Sequence, residues 1–137
     1  MKIHTTNYYD TFITVAEDCP LSQAEVPPVK KEKSTANIQY ELLADHPYTY
    51  TSDDILFTVF AQKQGLKKQE LAAARELFFS KGQACFRASP LTKRYGWGVH
   101  FDHAGKMALV GLGSPEYQNY ISSKNITIVK AMRQSKK

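Results

Sequence analysis

The sequence predicts an α+β fold: a small, mainly antiparallel sheet with a central hairpin, and three to four helices packed mainly on one face. Three observations carry this. β-branched and apolar stretches fall near both ends of the chain, two well-capped helical segments fill the middle, and a late turn sequence brings its flanks into a self-consistent hairpin register. A length of 137 residues suits a single domain, 1–137, able to bury roughly two thirds of its unfolded surface. Hydrophobic residues make up 42% and charged residues 23%, which is too apolar for a disordered chain, and no apolar run is long enough to cross a bilayer.

Thr11 to Ala16, TFITVA, is rich in β-branched residues and reads as the first strand, ending at Glu17-Asp18-Cys19-Pro20. Residues 20–33 hold Pro20, Pro27 and Pro28 followed by Lys30, Lys31 and Lys33, which predicts an exposed, extended connection. Ser34 to Leu43 places Ile38, Leu42 and Leu43 at helical spacing behind a hydroxyl start. The next helix opens at Thr51-Ser52-Asp53-Asp54, where a hydroxyl caps and two carboxylates meet the positive end of the helix dipole, and it stops at Gly65. Its buried face is expected to be Ile55, Leu56, Val59 and Phe60. A third helix is expected from about Lys68 to Ser80, with Leu71, Ala74, Leu77 and Phe78 on one stripe, and Phe57, Phe60, Phe78 and Phe79 read as core.

The last third permits a register test. Asp102-His103-Ala104-Gly105 suits a type I turn with Gly105 left-handed, which sets Asp102 opposite Lys106. Phe101 then faces Met107, Val99 faces Leu109 and Trp97 faces Gly111, all on one side of the sheet. Gly96, Gly98 and His100 fall on the other side with Ala108, Val110 and Leu112, a face bare enough for another element to lie close. Ser114-Pro115-Glu116 starts a short helix through about Ile121, and Ile126 to Met132 is the last strand.

Charge is unevenly placed. Residues 1–60 carry four Lys/Arg against nine Asp/Glu, net minus five; residues 61–137 carry fourteen against four, net plus ten. The whole excess of five equals Lys124, Lys130, Arg133, Lys136 and Lys137, so the basic balance reports a basic C-terminus with a tail at 133–137. That limits nucleic-acid binding to a weak, sequence-independent contact or none. The start MKIHTTNYYD has no apolar signal core, and Cys19 and Cys85, 66 positions apart, form no disulfide framework, so a reducing cytoplasm is the expected compartment.

The stretch from Arg87 to His100 concentrates chemistry: Arg87, Lys93 and Arg94, the hydroxyls of Ser89 and Thr92, Tyr95, Trp97 and His100. Guanidinium groups and hydroxyls suit phosphate or carboxylate oxygens, and an aromatic ring offers a flat surface beside them. Arg87, Ser89, Thr92, Lys93, Arg94, Tyr95 and His100 are therefore the expected ligand-binding residues of a non-enzymatic module for an anionic small molecule or protein partner. The bland reading is a polar surface loop with a core tryptophan.

HTTNYYDTFITVAEDCP, TSDDILF and FRASPLTKRYGWGVH also resemble the signature blocks of a family of small bacterial proteins known only as a domain of unknown function. The resemblance covers nearly the whole chain. It implies a bacterial, cytoplasmic, single-domain protein and supplies no activity, cofactor or catalytic residue.

The enzyme alternative uses Cys85 as nucleophile and His100 as acid or base, oriented by Asp53 or Asp102. Cys85 follows a helix C-terminus, whose partial negative charge disfavours a thiolate, although Arg87 acts the other way. His100 and His103 flank a turn and point to opposite faces, and His4 and His46 add no ligand spacing, so no metal is expected. Gly111-Leu112-Gly113 is half of a phosphate turn with Glu116 where the phosphate would dock, so no cofactor is expected either.

Overall fold

The computed structural model describes residues 3–133. Its sheet has the order β3-β2-β1-β4, with β1 at Thr11–Thr14, β2 at Trp97–Phe101, β3 at Met107–Gly111 and β4 at Thr127–Lys130. β2 pairs antiparallel with both β1 and β3, and β4 runs parallel to β1. The hairpin register is the one the turn sequence predicts: Trp97 faces Gly111, Val99 faces Leu109 and Phe101 faces Met107. Asp102 N–H donates to the Lys106 carbonyl at 2.9 Å, and Gly105 takes φ +81°, as a type I turn with a left-handed fourth residue requires. Asp102 completes the turn by accepting from the N–H groups of Ala104 and Lys106.

Three helices cover one face. α1 (Thr35–Asp45), α2 (Ser52–Gln64) and the short α4 (Pro90–Lys93) bring Ala36, Leu43, Ile55 and Leu91 onto Ile13, Val99, Phe101 and Met107. Ser34 and Thr51 cap their helices as the sequence predicts, accepting from Asn37 N–H and Asp54 N–H, and α4, which the sequence does not suggest, is capped by Ser89 accepting from Leu91 N–H. Gly65 ends α2 at φ +64°.

α5 (Pro115–Ile121) lies on the opposite face, between β3 in the chain and β4 at the far edge, and packs on β1 and β3. Tyr117 joins Phe12, Val15 and Val110 in a second core there. This is the close element that the bare face anticipates. A Cβ on Gly98 would stand 2.5 Å from Phe12 Cζ and 3.0 Å from Tyr117 Cε2, so the glycine is what lets both rings reach the sheet.

Two helical expectations need correction. On α2 the buried apolar positions are Ile55, Phe57 and Val59, while Leu56 and Phe60 are half-buried, because α2 is packed by α1 and by α3 (Leu71–Phe78) at once. The expected 68–80 helix is a 3₁₀ turn at Lys68–Glu70 followed by α3, and no residue of α3 is buried. α3 leans on α2, so its predicted stripe faces a shallow groove; Phe79, just past its end, is the buried anchor.

Residues 20–33 form no regular element and are largely exposed, yet Pro27 is fully buried. Asn37 Nδ2 donates to the Pro27 and Pro28 carbonyls, and Ala24 and Glu25 N–H groups donate to Leu112 and Tyr95 carbonyls, lacing the segment to α1 and to the end of the hairpin. Of the basic tail at 133–137, positions 134–137 fall outside the described residues.

Candidate functional site

The segment from Arg87 to His100 is folded tightly, and its polar groups divide into three sets. Ser89 and Thr92 are buried. Ser89 Oγ donates to Gln39 Oε1 at 2.6 Å while capping α4, and Thr92 Oγ1 lies 2.8 Å from the Phe86 carbonyl and 3.1 Å from that of Ser89. Their hydroxyls are consumed in holding the turn, which takes both out of the expected ligand pocket.

Arg87 is tied to the sheet edge through one of its five N–H donors. Its Nε donates to the Lys130 carbonyl at 2.7 Å, and its own carbonyl accepts from Met132 N–H at 2.7 Å, so it pins the end of β4. Beside it, the Cys85 thiol and Tyr8 hydroxyl share a hydrogen bond at 3.3 Å. Burial, reinforced by Cys85, pushes the Tyr8 phenol up to about 12, against the opposing pull of Arg87.

Cys85 and His100 are not brought together. Tyr8, the partner of Cys85, packs against Phe101 at 5.4 Å and belongs to the face covered by α1 and α2. His100 alternates with Phe101 and points to the other face, where its ring stacks on Tyr120 at 4.4 Å. The sheet therefore separates the thiol from the imidazole. Neither orienting carboxylate is placed for the pair: Asp53 accepts from Thr5 Oγ1, Thr6 N–H and Thr6 Oγ1, and Asp102 is taken by the hairpin turn.

His100 has a different partner, which sequence spacing could not reveal. Tyr48 OH lies 2.8 Å from His100 Nδ1 and 3.3 Å from Tyr120 OH. Tyr48 reaches this position by adopting φ +57°, a left-handed conformation costly for a bulky residue, and its N–H donates to the Met107 carbonyl at 2.7 Å. Burial lowers the His100 pKa, with Asp102 and Asp10 opposing, and burial together with Tyr120 holds the Tyr48 phenol far above its ordinary value. Both shifts favour the uncharged forms of His100 and Tyr48. Tyr48 has a single hydroxyl proton, so it donates across one of these two contacts and accepts across the other.

Arg94 and Tyr95, both predicted, share a concavity. The guanidinium lies 5.9 Å over the Tyr95 ring, and both line a hollow of about 220 Å³ together with Lys30, Glu32, Ser34 and Asn37. The hollow sits at the start of α1, whose first turn carries no acid. The N–H groups of Thr35 and Ala36 have no intrahelical acceptor there, and the helix dipole adds partial positive charge. Lys93 lines a neighbouring hollow of about 270 Å³ with Arg94, Ala88 and Pro90.

A family model described as a family of unknown function, DUF6157, matches residues 3–137. The chain belongs to that family. No curated protein and no solved structure matches it.

The α1 hollow offers two cations and a phenol against one carboxylate at the positive end of a helix dipole, an arrangement suited to an anion. The Tyr48–His100–Tyr120 cluster is a hydrogen-bonded and stacked group on the other side of the sheet. Among the described residues, no group of three or more His, Cys, Asp or Glu is disposed to hold a metal ion, and no helix is long and apolar enough to cross a membrane. Lys30, a cation missing from the sequence-based site, comes from the Pro/Lys-rich connection, whose tethers through Asn37 to α1 and through Glu25 to Tyr95 hold it in the same hollow as Arg94.

Proposed function

We propose that the chain is a non-enzymatic binding module that takes a small anionic group at the start of α1, against Arg94, Lys30 and Tyr95. The observation that carries this reading is the convergence of two cations from distant segments on an acid-free helix start. Size restricts the ligand. A hollow of about 220 Å³ is below the roughly 300–1,000 Å³ of drug-sized sites, so it admits a phosphate or small carboxylate and excludes a whole nucleotide. Glu32 on the same wall sets the selectivity, since it disfavours a highly charged anion and leaves a hydrogen-bond acceptor for a partly protonated one. A cytoplasmic setting belongs to the same proposal and is supported by two free cysteines.

Weak nucleic-acid binding ranks below this. Lys130, one of the five late cations, is engaged by Glu17 at 2.7 Å, which removes a contact from the set that a phosphate backbone would need.

Thermal-shift titration with inorganic phosphate and with malonate tests the proposal. An anion at about 100 times its dissociation constant stabilises by about 2.7 kcal/mol. The shift should vanish in Arg94→Ala with Lys30→Ala and persist in Arg87→Ala, whose guanidinium serves β4. Equal shifts in wild type and the Arg94/Lys30 variant, or no shift with either anion, would overturn the site.

A further inference from the structure

The hollow at the start of α1 holds both signs of charge, and its charges are not spent on one another. Lys30 and Glu32 have no hydrogen-bond or ion-pair partner among the described residues, and the Arg94 guanidinium meets the face of Tyr95. Lys33, the residue next to Glu32, turns instead to Glu41 at 2.7 Å. The neutral polar groups on the wall are occupied. Ser34 Oγ donates to Asn37 Oδ1, and Asn37 Nδ2 donates to the Pro27 and Pro28 carbonyls. A ligand therefore finds two cations and one carboxylate, with Tyr95 and the Pro28 ring beside them.

We infer that the ligand of this hollow is a free α-amino acid with a small side chain, its carboxylate held by Arg94 and Lys30 and its ammonium by Glu32. This rests on the anion reading of the same hollow and adds the second charge. A simple anion satisfies the cations but brings another negative charge up to Glu32, which is left without a counter-charge. A simple cation meets the converse fault at Arg94 and Lys30. A zwitterion matches all three, so each charged group on the wall gains an opposite partner.

Size sets the spacing of the two charges. In a volume of about 220 Å³ they must lie close together, as they do on a single α-carbon. A peptide carries its ammonium and its carboxylate at opposite ends, and the interior of a protein chain has both groups tied up in amides. The free amino acid presents both at once. Lys30 and Glu32 lie two positions apart on the 20–33 connection, while Arg94 ends α4, so such a ligand would bridge the connection to the folded scaffold.

NMR titration of the full chain with L-alanine, propionate and dialanine at fixed ionic strength tests this, with malonate reporting on the anion site itself. Propionate is alanine without its ammonium, and dialanine moves the two charges apart. L-Alanine should bind about threefold to fivefold tighter than either, the gain from one partly exposed charge pair. Glu32→Gln, at an exposed position, should bring alanine down to the level of propionate and leave malonate binding undiminished. Arg94→Ala with Lys30→Ala should lose both alanine and malonate. Alanine no tighter than propionate, an alanine preference that survives Glu32→Gln, or dialanine as tight as alanine overturns the inference; malonate binding that still depends on Arg94 and Lys30 then leaves the anion site standing. Malonate and alanine binding that is absent, or indifferent to Arg94 and Lys30, overturns both readings.

Discussion

Gly98→Ala adds one methyl group at the point where the two sides of the molecule depend on each other. The new Cβ would lie 2.5 Å from Phe12 Cζ, 2.9 Å from Phe12 Cε1 and 3.0 Å from Tyr117 Cε2. Phe12 cannot retreat easily, since it is fully buried with Tyr117 edge-on at 5.2 Å and Tyr120 stacked at 5.1 Å. Overpacking of this kind costs about 1–3 kcal/mol, and contact with rigid rings puts this case near the top of that range. Replacing glycine inside a strand returns roughly 0.5–1 kcal/mol, which leaves a net loss of about 2 kcal/mol. With an unfolding entropy of about 2.1 cal/mol/K per residue, that lowers the melting temperature of a chain this size by roughly 7 °C. Calorimetry and urea unfolding measure it. Phe12→Leu should relieve the clash, so the double variant should be less destabilised than the two single losses added together, by about 1 kcal/mol. A Gly98→Ala protein as stable as wild type, or strict additivity in the cycle, would refute the packing described for this face.

Two other substitutions separate scaffold from site. Ser89→Ala removes the α4 cap and leaves the buried Gln39 Oε1 without its donor, so urea unfolding should show a loss of about 2 kcal/mol while anion affinity of the folded protein is unchanged. His100 titrates below its ordinary 6.5 in the folded state, so as pH falls through 6.5 the unfolded chain takes up a proton that the folded chain refuses. Its contribution to stability is therefore present in full above 6.5 and is lost on acidification toward the folded value; comparing wild type with His100→Gln at about pH 7.5 and about pH 5.5 should show a shallower decline in the variant.

The features legible in the sequence are those set by neighbours along the chain. The 97–111 register follows from period-two alternation and one turn, and both are local. The caps at Ser34, Thr51 and Ser114 depend on residues three positions apart. β4's place beside β1 is different, because nothing within Thr127–Lys130 specifies a partner more than a hundred residues away. The α3 stripe fails for a related reason. Its spacing is helical and apolar, but only tertiary packing decides whether such a stripe meets a core or a groove, and α3 leans on α2 with none of its residues buried. Tyr48 is harder still: its role depends on a left-handed bulky residue, which residue propensities disfavour.

The segment from Arg87 to His100 shows why residue type and residue availability must be kept apart. Every group there has the chemistry expected of an anion site, and the fold assigns most of them elsewhere. Hydroxyls next to a proline-started turn are the nearest acceptors and donors for that turn's own backbone, so Ser89 and Thr92 are used locally before any ligand arrives. Arg87 meets the free carbonyl of an edge strand, a strong acceptor that would otherwise face water. His100 follows the two-residue period of β2 to the face opposite Val99 and Phe101, so neither cations nor thiol lie within its reach. Arg94 escapes because it ends α4, where its side chain leaves the turn and meets the connection carrying Lys30. The proposed site is thus made from what secondary structure does not consume, and its two cations, Lys30 and Arg94, come from segments more than sixty positions apart.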